Sequence, residues 1–132
     1  MVKIPDNIVR MIKHPDTCKA MATVSPEGEP HMIVCGSLTL TDDDCIVVGE
    51  VYMYRTAENL SGNPFAEFMV WKGREAYSLK TRATRRLTSG PEFDKINATL
   101  DKMRMEAASV WVFEVDEIWD EGISDTTGRR LV

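Results

Sequence analysis

The chain has 132 residues, 43% hydrophobic and 28% charged, with a net charge of −5. That composition fits one globular domain with a single core, and the acidic balance speaks against a general nucleic-acid binder. No apolar run reaches membrane-spanning length, the start does not read as a signal peptide, and three cysteines without a C-x-x-C spacing point to a reducing cytoplasm. The two histidines have no neighbouring cysteine, so no metal site is expected.

In chain order, Pro5-Asp6-Asn7 opens a predicted helix with Ile8, Met11 and Ile12 on one face, and His14-Pro15 ends it, so residues 1–16 form an N-terminal helical segment. A strand follows, with Cys18, Ala20, Ala22 and Val24 on one face and Lys19, Met21, Thr23 and Ser25 on the other. The turn Ser25-Pro26-Glu27-Gly28-Glu29-Pro30 leads into a second strand, His31 to Leu40, interrupted by Gly36. Thr41-Asp42-Asp43-Asp44 turns the chain into a third strand, Cys45 to Val51.

A short helix is predicted from about Ala57 to Gly62, and Asn63-Pro64 breaks it. Phe65 to Trp71 is mostly apolar and is expected to be a strand buried on both faces. Lys72-Gly73-Arg74 turns it into a long fifth strand, Glu75 to Thr88. Ser89-Gly90-Pro91-Glu92 has the form of a capping box, and Phe93, Ile96, Leu100, Met103 and Ala107 continue as a helical stripe. Val110 to Asp116 is the sixth strand, and the polar tail 120–132 is expected to order only against a partner. The sum is a mainly β single domain over 1–132, a small barrel of six antiparallel strands with accessory helices. The glycine-rich turn of a doubly wound nucleotide fold is missing.

Arg55 and Thr56 stand where the third strand gives way to the short helix. Free N–H groups at a helix start, a guanidinium and a hydroxyl together favour a phosphate. The plainer reading makes Thr56 a cap and Arg55 a solvated residue. Lys80, Arg82, Arg85 and Arg86 form the densest basic row, either an anion site or the solvent face of an amphipathic strand. Cys35 reads as a small buried residue rather than a reactive thiol, and Trp71, Trp111 and Trp119 as core or interface aromatics. Ser37 has no histidine or aspartate constellation for hydrolysis, and no carboxylate pair stands at a catalytic spacing.

Three motifs in order carry a resemblance. Met21-Ala22-Thr23-Val24-Ser25-Pro26-Glu27-Gly28-Glu29-Pro30-His31 resembles the first hairpin of the pyridoxamine 5′-phosphate oxidase-like, FMN-binding split-barrel superfamily. Tyr54-Arg55-Thr56-Ala57-Glu58-Asn59-Leu60-Ser61-Gly62-Asn63-Pro64 resembles its basic-residue and Ser/Thr signature ahead of Asn-Pro. Ser89-Gly90-Pro91-Glu92-Phe93 is similar to the late helix start of its small FMN-binding members. The resemblance covers about residues 18 to 119.

It implies a six-stranded Greek-key split barrel that dimerises, with FMN at the interface. It further implies a phosphate held by Arg55 and Thr56, with Asn59 either fixing that loop or simply satisfying the helix. The ring would lie on the backbone of Val34, Cys35, Gly36 and Ser37, with Gly49, Glu50, Val51 and Met53 on the other side. The oxidases proper carry an arginine early in the second strand and a lysine at its end. Ile33 and Leu38 occupy those positions here, so pyridoxamine-phosphate oxidation is not expected.

The function expected is an FMN-dependent oxidoreductase, moving electrons or hydride between a reduced donor and a small acceptor. The alternatives are an electron carrier without turnover, a binder of haem or a deazaflavin, and a dimer kept only for interaction. No residue is named as catalytic.

Overall fold

The computed structural model describes all 132 residues. Helix α1 (Asp6–Lys13) is followed by strands β1 (Cys18–Val24), β2 (Pro30–Val34), β3 (Thr39–Leu40) and β4 (Ile46–Gly49). Helix α2 (Tyr54–Gly62) leads to β5 (Phe65–Lys72) and β6 (Glu75–Leu87), and α3 (Pro91–Asp101) to β7 (Val110–Asp120). The strands form one antiparallel sheet in the order β2-β1-β5-β6-β7-β4-β3, curled into a half-barrel.

The sheet has seven strands where six are predicted, and one break accounts for the difference. The segment read as a continuous second strand turns at Gly36-Ser37. There the Leu38 N–H donates to the Cys35 carbonyl at 3.2 Å, and the Ser37 hydroxyl accepts the Gly49 N–H at 3.0 Å. Its first half pairs with β1 and its second with β4, so one bent segment joins the two edges of the sheet.

The inward face of β1 is the mixed one, with Met21 and Thr23 buried. Inside the curl, Phe68 and Phe113 meet edge-on with ring centroids 5.0 Å apart. Ile46, Val48, Val70, Leu79 and Val115 pack around them. Helix α1 adds Ile8, Met11 and Ile12 to the same core, as its spacing predicts. The Thr17 hydroxyl donates to the Met11 carbonyl at 2.6 Å and closes that helix. A second, smaller core lies under α3, where Ile96 and Leu100 cover Val47, Val110 and Val112. Gly49 belongs to this contact, because a Cβ there would stand 2.8 Å from Ile96 Cγ2.

Four further expectations are corrected. Strand β5 alternates, with Ala66, Phe68 and Val70 buried and Phe65, Glu67, Met69 and Trp71 facing outward, because nothing in the chain covers its outer side. Helix α2 begins at Tyr54, three residues early, which puts Arg55 and Thr56 inside its first turn. Ser89 does not cap α3: Gly90, at φ 101°, is the N-cap, and Glu92 pairs with Arg85 at 3.7 Å. The tail orders against its own chain, with the Leu131 N–H donating to the Ile118 carbonyl at 2.8 Å and the Asp120 N–H to the Arg129 carbonyl at 2.9 Å.

Candidate functional site

The break in the second strand opens a cleft of about 340 Å³, within the range of small-ligand pockets. One wall is Ile33, Val34, Cys35, Gly36 and Ser37; the other is Val48, Gly49, Val51, Tyr52 and Met53. Seven of the residues expected to hold a ring (Val34, Cys35, Gly36, Ser37, Gly49, Val51 and Met53) are therefore brought together. Leu100, Met103 and Met105 close the third side and were not read as site residues. Met103 does stand on the predicted α3 stripe. The helix ends at Asp101, however, and Arg104 takes a left-handed φ of 56°, which turns Met103 and Met105 toward the cleft. No lining side chain is charged.

Gly36 faces open space, with no atom within 4 Å of where a Cβ would be. It leaves the wall flat, with bare backbone available to a planar ligand. Tyr52 sits at φ 54°, an uncommon conformation for a non-glycine residue, and is 80% exposed at the cleft mouth.

Glu50 faces away from the cleft. Its carboxylate accepts from Arg86 at 2.8 and 2.9 Å and from the Trp111 indole at 2.8 Å. Its own N–H donates to the Ser109 carbonyl at 2.9 Å. The guanidinium of Arg86 lies 5.2 Å from the centre of the Trp111 ring. The rest of the basic row is spent in the same way. Lys80 pairs with Glu67 at 3.0 Å, and Arg82 with Asp116 at 2.8 Å and Glu114 at 3.1 Å. This is the solvent face of an amphipathic strand.

The remaining candidates lie apart from the cleft. Arg55 and Asn59 line a polar hollow of about 320 Å³ between α2 and the Ser25–His31 hairpin, shared with Glu27, Glu29 and Glu58. Arg55 is exposed and makes no ion pair. Asn59 is buried and its amide donates to the Thr23 hydroxyl at 3.0 Å, tying α2 to β1. Thr56 is buried and its hydroxyl has no partner, an orphan that a bound ligand or water would satisfy.

Cys35 lines the cleft but is chemically quiet. Burial pushes its thiol up to about 12, and nearby Lys19 offsets only part of that. Since the thiolate is the nucleophile, Cys35 should resist alkylation at pH 8. Iodoacetamide is expected to modify exposed Cys18 first and to leave Cys35 intact until the protein is unfolded, as peptide mass mapping would reveal.

A family model described as pyridoxamine 5′-phosphate oxidase matches residues 4–121. The chain belongs to the pyridoxamine 5′-phosphate oxidase family. Solved structures agree on the fold of this oxidase-family chain. HupZ of Group A Streptococcus superposes with a TM-score of 0.80 at 19% identity, covering 96% of this chain and 100% of that one. An FMN-binding protein from Syntrophomonas wolfei gives 0.75 at 21% identity, covering 89% and 84%. A heme binding protein from Mycobacterium smegmatis gives 0.66 at 22% identity, covering 98% and 58%. No curated protein matches the chain.

In this member of the oxidase family, Ile33 and Leu38, where the resemblance implies cations, carry hydrocarbon side chains. Ile33 lines the cleft, and Leu38 is 4% exposed in the main core. No helix is long and apolar enough to cross a membrane.

Proposed function

We propose that this oxidase-family chain binds a flavin, with FMN as its ligand, and serves electron transfer between a reduced donor and a small acceptor. The observation that carries the reading is the cleft itself. Two stretches of backbone, 33–37 and 48–53, face each other across an uncharged space, and the glycine in one of them leaves its wall bare. Isoalloxazine recognition calls for a flat apolar slot edged by backbone groups.

In the separate hollow beside the Ser25–His31 hairpin, the unpaired Arg55 guanidinium is suited to the phosphate, with the orphan Thr56 hydroxyl buried in the same helical turn. A bound flavin supplies the two-electron chemistry. The chain's own residues position it, exclude water with Leu100, Met103 and Met105, and leave proton delivery to solvent, since no charged side chain lines the cleft and the Cys35 thiol there is held protonated by burial. That absence favours, as a second reading, a flavin-binding electron carrier without a dedicated substrate. A haem or deazaflavin in the same slot is the further alternative.

The reading includes a homodimer. On the outer face of β2, Val34 is 83% and Met32 65% exposed, and on β5 Phe65 is 59% exposed. On β1, Ala20 and Ala22 stand in register with Val34 and Met32, and Ala20 in turn with Met69 of β5, so an apolar strip crosses three strands beside Glu67. A second copy would cover it beside the cleft, because Val34 belongs to both. A reducing, cytoplasmic setting suits the three free cysteines.

The test is the absorbance spectrum of the purified protein, with any chromophore released and identified, and an FMN titration followed by fluorescence quenching. Oxidised-flavin bands or saturable FMN quenching support the reading. A protein that is colourless and ignores FMN overturns it. Arg55→Ala should weaken FMN binding by about 1–2 kcal/mol, a charge-assisted contact discounted for solvent exposure and for the three neighbouring glutamates. An unchanged dissociation constant would remove Arg55 from the site.

A further inference from the structure

Next to the cleft lies a second hollow, a side branch of about 170 Å³ between the β2–β3 turn and α3, which shares Gly36, Ser37, Leu100 and Met103 with the main space as common walls. The two volumes differ in chemistry. The branch is lined by one cation, Lys95, by the hydroxyls of Ser37, Thr39 and Thr99, and by no carboxylate.

Three of these groups have donor capacity left over. Lys95 makes no ion pair, in contrast to Lys80, Arg82, Arg85 and Arg86 on β6, each of which has a carboxylate partner. The Ser37 hydroxyl accepts the Gly49 N–H at 3.0 Å, which leaves its own proton free to donate. Thr39 makes no side-chain hydrogen bond, whereas the Thr99 hydroxyl is spent on the Lys95 carbonyl at 3.3 Å. Thr39 and Lys95 also line an adjoining hollow that holds two acids, Asp42 and Glu92, of which Glu92 is engaged with Arg85.

We propose that this branch is an anion subsite. In it Lys95, Ser37 and Thr39 hold a carboxylate or phosphate group of the small molecule that meets the ring in the main cleft. The substrate class is therefore a small acid or phosphate ester, anchored by its charge at α3 and presenting its apolar part to the cleft. The substrate role rests on the flavin reading; the anion site is testable without it.

The experiment follows backbone amide shifts of the full chain by NMR while inorganic phosphate, benzoate or neutral benzamide is titrated, with and without FMN. Saturable shifts at Ser37, Thr39 and Lys95 with either anion, and not with benzamide, are expected. Lys95→Gln should weaken them by roughly tenfold, the loss of one charge-assisted contact, while FMN affinity changes by less than about twofold. Phosphate alone would mark a phosphate ester as the source of the charge, and benzoate alone a carboxylic acid. Shifts confined to residues 54–59, equal shifts with benzamide, or shifts indifferent to Lys95→Gln would each overturn the subsite. Anion binding at the branch in a protein that ignores FMN would keep the subsite and remove the flavin reading.

Discussion

Phe113→Ala is expected to lower the free energy of unfolding by about 3–5 kcal/mol. Phe113 is fully buried on β7, in register with Ile46 on one side and Ala83 on the other, and its ring meets Phe68 edge-on. Truncation removes the ring's transfer free energy and leaves a cavity that a curled sheet, held by ladders on both sides of β7, relaxes into poorly. Urea denaturation reads the effect as a lower midpoint at unchanged slope. A loss under about 1 kcal/mol would mean that the barrel interior is looser than the packing around Phe68 implies. The residue does not itself line the cleft, so FMN affinity measured well below the midpoint should stay close to that of the parent protein.

Gly36→Val should do the opposite, leaving stability within about 0.5 kcal/mol and weakening FMN binding by about 2–3 kcal/mol. The site is open, and the backbone at Gly36 does not adopt the left-handed conformation that would penalise a side chain. The chain alone therefore has no objection to a larger residue. A ring lying on this wall would meet two methyl groups. Paired thermal melts and FMN titrations of the two proteins separate the effects. Undiminished affinity would move the ligand off the 33–37 wall; lost stability would mean that the turn needs glycine for folding.

Legibility followed the range of the interactions. The apolar spacing of Ile8, Met11 and Ile12 predicts α1 because a helix buries whatever repeats along its own axis. The wall residues Val34 to Ser37, and Gly49, Val51 and Met53, were readable through the resemblance, and they converge on one cleft. The same resemblance groups Glu50 with them. What decides its direction is Arg86, thirty-six residues away, and Trp111, sixty-one away, and local pattern carries no trace of either. The bend at Gly36-Ser37 was visible only as an interruption, since its meaning depends on Gly49 reaching Ser37 from another strand. Met105 entered the cleft unannounced for the same reason: Asn97 grips Ala107 by its N–H at 2.8 Å and folds the segment back.

The place of β7 in the sheet bears on how the protein is made. It is the last strand along the chain, yet it lies between β6 and β4, so it inserts into the middle of the sheet. Until it emerges from the ribosome, β2-β1-β5-β6 and the β3–β4 hairpin are separate pieces with no ladder between them, and β6 and β4 each present an unpaired edge. Those edges carry Val47, Val48, Leu79 and Thr81, all buried in the finished fold. Nascent chains stalled before Val110 thus hold both halves of the barrel apart and sticky, and their capture by chaperones or their aggregation is the natural hazard of this strand order. Emergence of β7 from the exit tunnel is the event that zips the domain shut.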